Sequence, residues 1–459
     1  MSRRINFITT IIMAALVSIS ANTACAAESV ILEVASDSPV VETGRAQRVT
    51  VRALVRPRER SIRERAPIAL ALVIDKSGSM DADDKLENAK RGALEALELL
   101  GKGDIASLIA YDSEAYVLVK PSSATDISTF RRAIARLEAG GNTALYDGVE
   151  HGADAISRFV REGYVPRIIL LSDGLANVGP SSSEALASLG RSLARKEMTI
   201  TTIGLGLDYD EDLMTALASE SGGNSYFART SGMLADIFRR DMEDALALTG
   251  RHVKVTLTCE EGVRPIRVIG REGASESDKI EAYINNLYGD EKYAMFELDL
   301  PNLSDETNFR AGVVTVEYTD ASSGRSVTLT SPLEVSYTKD SAKASKLRNS
   351  EITVQAEMAK NAEIREEVIK LADEGNAEEA ASLLRSRAEY LKSGPLASAP
   401  MPMQGEVTSE IDSFNDLAAE MESTGEMSNE QRKSNTQHVY ATKNQQSNAA
   451  TSEDETEKD

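Results

Sequence analysis

The sequence predicts an α/β fold in which a doubly wound, mostly parallel, Rossmann-like sheet is inserted in a β-sandwich, with a helical pair and a disordered tail behind it. Three observations carry this expectation. Ile68-Ala69-Leu70-Ala71-Leu72-Val73-Ile74 is an unbroken apolar run, the pattern of a strand buried on both faces. From there to Leu248, strand-like and helix-like stretches alternate, as they do in a sheet with helices on both sides. Outside that block, apolar residues alternate with polar ones and no helical stretch intervenes until about Ser345, which describes the half-buried strands of a sandwich. A chain of 459 residues has room for these parts, since domains mostly run to about 100–200 residues.

Taken in order, residues 1–26 read as a secretory signal peptide. Arg3 and Arg4 precede an apolar run from Ile5 to Ile19, and the small residues Ala24-Cys25-Ala26 supply a cleavage site. The implied location is periplasmic or secreted, in a bacterium. Lipidation at Cys25 is the lesser alternative, because Asn22 stands where a lipobox needs Leu or a similar residue. Residues 28–66 supply the first sandwich strands, around Val30–Val34 and Val49–Val55, and residues 67–249 the α/β domain. Residues 250–340 hold the remaining sandwich strands, near Val253–Leu257, Met295–Leu300, Val313–Tyr318 and Val327–Tyr337. Residues 345–393 form a helical hairpin, broken at Gly375-Asn376. Residues 394–459 lose apolar content, and from 395 onward they hold thirteen acids and four bases. This is the composition of an acidic disordered tail, although Ile411, Phe414 and Leu417 are spaced for a short helix.

Composition excludes several function classes. Lys plus Arg is 51 against 73 for Asp plus Glu, a net charge of −22. Nucleic acid and anionic lipid both need a cationic surface, so neither is a partner. Two Cys and three His in the whole chain exclude a zinc cluster or a disulfide framework. The excess acid points to cations or to solubility.

One constellation carries chemistry. Asp75-Lys76-Ser77-Gly78-Ser79 leaves the first buried strand, Asp173 leaves another in Leu170-Leu171-Ser172-Asp173-Gly174, and Thr143 lies in a loop before a helix. The carboxyl ends of parallel strands line one edge of a doubly wound sheet, where ligands bind. Asp75, Ser77, Ser79, Thr143 and Asp173 can therefore converge. All are oxygen donors, which select a hard divalent cation: Mg²⁺ first, with Ca²⁺ or Mn²⁺ as alternatives. Asp81, Asp83 and Asp84 read as acids suited to a helix N-terminus rather than as a second cation site.

The block from about Ile68 to Leu248 resembles a von Willebrand factor type A (VWA) domain, whose metal-ion-dependent adhesion site uses D-x-S-x-S, a loop Thr and a later Asp. All five positions hold the family's residue types. In layout the flanking parts resemble exported bacterial VWA proteins related to inter-α-trypsin inhibitor heavy chains and calcium-activated chloride channel-like proteins. The resemblance implies a metal that keeps much of its charge among neutral donors and captures an Asp or Glu carboxylate from a protein ligand. Lys76, Asn142, Leu175 and Asn177 are the candidate rim for that partner.

The expected function is thus an exported, divalent-metal-dependent protein-binding module of adhesion or scaffold type. An accessory or regulatory subunit of a membrane transport or channel complex is the second reading, and a metal-dependent hydrolase the weaker third. Catalysis is not expected, since H-E-x-x-H, G-x-S-x-G and the phosphate-binding loop motif are all absent from the sequence. A carboxylate of the acidic tail entering the metal site in cis is one further expectation.

Overall fold

The computed structural model describes residues 29–58, 65–394, 397 and 399–446. The expected signal peptide and Cys25 lie outside the described residues. At the start, β1 (Val30–Ser36), β2 (Val40–Glu42) and β3 (Gln47–Pro57) carry the alternating residues seen in the sequence. The chain then enters the α/β domain through β4 (Ile68–Asp75), in which every residue is buried.

The pleat explains the unbroken apolar run. Successive side chains of a strand point to opposite faces, and here both faces are covered. Ile68, Leu70, Leu72 and Ile74 pack into a core with α1 (Lys85–Glu98), α2 (Ile127–Ile134) and α6 (Leu234–Leu246). Ala69, Ala71 and Val73 face α3 (Leu145–Val160), α4 (Ser183–Arg195) and α5 (Glu211–Ser221). The residues on this second face are small because α3 approaches closely: a Cβ on Gly152 would lie 2.8 Å from Val73 Cγ2. The remaining strands are β5 (Ile105–Tyr111), β6 (Ala115–Ser123), β7 (Val165–Ser172), β8 (Thr199–Leu205) and β9 (Ser225–Ala228), giving the order β6-β5-β4-β7-β8-β9. All pairs are parallel except β5 with β6.

Seven more strands follow: β10 (Gly250–Cys259), β11 (Arg264–Ile269), β12 (Gly273–Ser275), β13 (Lys279–Leu287), β14 (Lys292–Leu300), β15 (Thr307–Asp320) and β16 (Ser326–Thr338). They close two sheets, β1-β3-β14-β11 and β12-β13-β10-β15-β16-β2, so the N-terminal strands pair across the inserted domain. Val51, Val55, Phe296 and Leu298 of the first sheet share one core with Val255, Leu257, Val314 and Val316 of the second. The strands β11, β12 and β13 add to those the sequence pattern identifies. Of these, β13 buries Ile280, Ala282 and Ile284 at alternate positions and carries Asn285 and Asn286 near its end.

Two expectations for the C-terminal third need correction. The helical pair is larger than a pair: α7 (Ser341–Lys346), α8 (Ser350–Asp373) and α9 (Ala377–Ser393) are followed by α10 (Met401–Thr424) and α11 (Asn429–Asn444). The disordered tail from 394 is accordingly wrong as far as residue 446. Its mean composition is polar, but Val407, Phe414, Ala418 and Met421 recur at helical spacing and bury against Val368, Leu384 and Leu391. The acids of this segment also find cations. Glu410 pairs with buried Arg365 at 2.9 Å, and Glu422 with Arg385 at 2.9 Å.

The far side of α11 closes the edge of the α/β sheet. Gln437 and Gln446 donate to the Ser225 carbonyl of β9 at 2.7 and 2.9 Å, and Tyr440 Oη donates to the Gly223 carbonyl at 2.7 Å. An edge strand left open is a template for unwanted pairing. Phe414→Ala should destabilise the protein by about 3–5 kcal/mol, read from urea unfolding followed by circular dichroism. A disordered tail would show no change.

Candidate metal centre

Register brings the acids together. β4 and β7 are parallel neighbours with Ile74 opposite Leu171, so Asp75, the last residue of β4, and Asp173, one past β7, emerge side by side. Both are fully buried. Ser77 and Ser79 stand in the turn that follows β4, pinned by buried Met80. Two backbone bonds dock this turn on the threonine loop: Gly78 N donates to the Gly141 carbonyl at 3.1 Å, and Gly140 N to the Lys76 carbonyl at 2.8 Å. Gly141 is required there, with φ +82° and no space, since a Cβ would meet Asp112 Cβ and Ser113 Oγ at 3.0 Å.

Hydrogen bonds link Asp75, Ser77, Ser79 and Asp173 in turn, the first through a backbone N–H. Asp75 Oδ1 accepts from the Ser77 backbone N–H and Oδ2 from the Ser172 hydroxyl, each at 2.8 Å. The Ser77 and Ser79 hydroxyl oxygens are 3.2 Å apart, and Ser79 donates to Asp173 Oδ1 at 2.6 Å. Thr143 is reached through Gly174, whose Cβ, if present, would lie 3.3 Å from Ser79 Oγ and 3.6 Å from Thr143 Oγ1. The five expected donors thus occupy one place. Asp173 Oδ2 is held by the Lys85 ammonium at 2.8 Å.

Electrostatically the site is short of positive charge. Burial, with the Asp173 charge adding to it, pushes the Asp75 carboxyl up to about 6. Among the described residues no Lys, Arg or His pairs with Asp75, and Lys85 is the cation that reaches Asp173. Two buried carboxylates against one ammonium, ringed by hydroxyls, fit a divalent cation by charge and by donor type. No group of three His, Cys, Asp or Glu suited to a metal exists among the described residues, and this centre has two acids and otherwise hydroxyls. Asp81, Asp83 and Asp84 are exposed, and the Asp84 side chain makes no capping bond at α1.

The four rim candidates divide. Leu175 is 59 % exposed and free to meet a partner. Asn142 is exposed, its backbone N–H donating to Ser113 Oγ at 3.0 Å. Asn177 is a brace: its Oδ1 accepts from Thr143 N at 2.9 Å, and its own N–H donates to the Thr143 carbonyl. Lys76 is engaged with Asp112 and lies 5.6 Å from the Tyr116 ring. Tyr116 and Leu207, both exposed, add apolar surface from β6 and the loop after β8.

Sequence reasoning did not single out Ser172 or Lys85. Ser172 looks like any residue ending a strand. Lys85 left one faint sign, a cation in the first turn of a helix, where the helix dipole disfavours it. Ser172→Ala should cost about 1–3 kcal/mol by leaving a buried carboxylate oxygen without its donor, measured by denaturant unfolding.

Comparison with known proteins bears on the domain and the fold. Residues 70–175 match the family model of the von Willebrand factor type A domain. These residues belong to a VWA domain. The uncharacterized protein sll0103 of Synechocystis sp. is 28% identical over 284 residues, 59% of this chain and 66% of that protein. Calcium-activated chloride channel regulator 1 of Bos taurus is 31% identical over 162 residues, covering 35% of this chain and 17% of the regulator. Inter-alpha-trypsin inhibitor heavy chain H3 of Pongo abelii is 30% identical over 174 residues, covering 36% and 19%. The chain therefore spans just under two thirds of the first relative and less than a fifth of the other two. The solved von Willebrand factor type A structure from Catenulispora acidiphila superposes with a TM-score of 0.65 at 16% identity, covering 90% of this chain and 96% of that one. That likeness is one of fold, and it extends beyond the VWA domain to the flanking parts.

Proposed function

We propose that this chain is an exported protein-binding module that captures a partner carboxylate through a divalent cation held in its VWA domain. The observation that carries the reading is Asp75, a fully buried carboxylate that no Lys, Arg or His among the described residues pairs with. Asp75, Asp173, Ser77, Ser79 and Thr143 would hold the ion, with Mg²⁺ the first candidate and Ca²⁺ or Mn²⁺ the alternatives. When bound, the cation supplies an electrophilic position for an oxygen from outside. The protein's own residues do the rest. Ser172 and the Ser77 N–H fix the Asp75 carboxylate, Ser79 fixes one oxygen of Asp173, and Asn177 fixes the Thr143 loop.

A single carboxylate contact carries little specificity, so the surface around it must supply the rest. Leu175, Leu207 and Tyr116 offer exposed apolar groups there, at 59, 43 and 41 % exposure, and Asn142 a polar one. A partner with an acidic side chain flanked by apolar residues fits this surface. Export rests on residues 1–26 and is tested by the N-terminus of the protein recovered from the periplasm or medium.

A second reading, an accessory or regulatory subunit of a membrane transport complex, is favoured by the likeness to a chloride channel regulator. Among the described residues no helix is long and apolar enough to cross a membrane.

Affinity capture in Mg²⁺ and in EDTA, analysed for soluble and integral membrane proteins, separates these readings. Asp75→Ala should abolish the Mg²⁺-dependent capture and lower Mg²⁺ affinity at least about a hundredfold, the loss of roughly 3 kcal/mol, while circular dichroism stays unchanged. Metal-dependent capture that survives in Asp75→Ala would sink the site assignment.

A further inference from the structure

Lys85 is an unusual residue to find beside a cation site. Its side chain is 11% exposed, and its ammonium stands 2.8 Å from Asp173 Oδ2, whose own side chain is fully buried. The other Asp173 oxygen is turned to Ser79. Asp173 is thereby divided, one oxygen for the hydroxyl cluster and one for the ammonium. Lys85 is the first residue of α1 and is carried there by the turn that also carries Ser77 and Ser79. Gly206, in the loop after β8, borders the same space: a Cβ there would lie 3.8 Å from Lys85 Nζ.

We propose that Lys85 is a positioning and charge-setting residue of this centre, one that weakens the hold on the metal and strengthens the hold on the partner's carboxylate. The inference rests on reading the site as a metal centre. Its logic is electrostatic. Asp75 and Asp173 with Lys85 carry one net negative charge, so a divalent cation leaves the filled site with one net positive charge. Without Lys85 the same filled site is neutral. The ammonium therefore repels the incoming metal and attracts the incoming carboxylate, opposite signs for the two ligands. A purely structural lysine would not separate them.

The test uses Mn²⁺ as the metal probe and acetate as the carboxylate probe, with the full chain. Calorimetric titration should show Lys85→Met binding Mn²⁺ at least about tenfold more tightly than the natural chain. Lys85→Arg, which keeps the charge, should stay within about threefold of it. Saturating acetate should tighten Mn²⁺ binding in the natural chain and leave Lys85→Met unchanged, because coupling between two ligands is reciprocal. Thermal unfolding gives a second measure. Lys85→Met leaves a buried carboxylate uncompensated, so Mn²⁺ should raise its midpoint more than it raises that of the natural chain. Equal or weaker Mn²⁺ binding by Lys85→Met overturns the proposal and leaves the metal reading standing. A variant that fails to fold with Mn²⁺ present also counts against it, since the metal should replace the ammonium. Absence of Mn²⁺ binding by the natural chain and the variant alike overturns the metal reading itself.

Discussion

Two carboxylates buried at the ends of adjacent parallel strands, with one ammonium against them, form the constraint around which the VWA domain is arranged. Charge taken out of water is costly unless it is paired and hydrogen-bonded. The surrounding elements meet that demand one donor at a time. Ser172 and the Ser77 N–H serve Asp75, and Ser79 and Lys85 serve Asp173. The 3₁₀ turn at Gly78–Asp81, the Gly140–Thr143 loop and the start of α1 are held in mutual contact by these bonds and by the backbone links between the loops.

The opposite end of the same sheet is built for attachment. Arg167, buried near the start of β7, donates to Asp241 of α6, to Thr201 of β8 at 2.9 Å and to the Tyr288 hydroxyl of the sandwich at 2.9 Å. The chain enters and leaves the α/β domain at this end, through Ile68 and Gly250. Further along, α11 lies over α5 and β9, with Lys433 buried between Glu211 and the Tyr209 carbonyl. The domain is thus anchored at its strand starts and along the β9 edge.

Legibility in the sequence followed the range of each interaction. The apolar run at Ile68–Ile74 and the D-x-S-x-S that follows it are local signals, and the fold class and the candidate donors are legible in them. Lys85 meets Asp173 across 88 positions of chain, and nothing near Lys85 in the sequence marks that meeting. The C-terminal segment hides its fold for a different reason. Averaged over its whole length it looks too polar and too acidic to fold, but the apolar stripe Val407, Phe414, Ala418 and Met421 is narrow and regular. Two of its acids, Glu410 and Glu422, pair with Arg365 and Arg385 of α8 and α9, which a composition count over the tail alone does not see.

The sequence by itself determined what depends on periodicity and on short spacing: a doubly buried strand, the alternation of strands and helices, and five oxygen donors placed at strand ends and in one loop. It also set bounds on chemistry, since three His and two Cys leave no zinc cluster or disulfide framework. The tertiary structure alone decided the balance of charge inside the centre, the bracing of Thr143 by Asn177, and the docking of α10 and α11. Burial and pairing are properties of neighbours in space. A carboxylate's surroundings exist only once β4, β7 and α1 have packed, so no local pattern around Asp75 or Asp173 could have stated how many cations would face them.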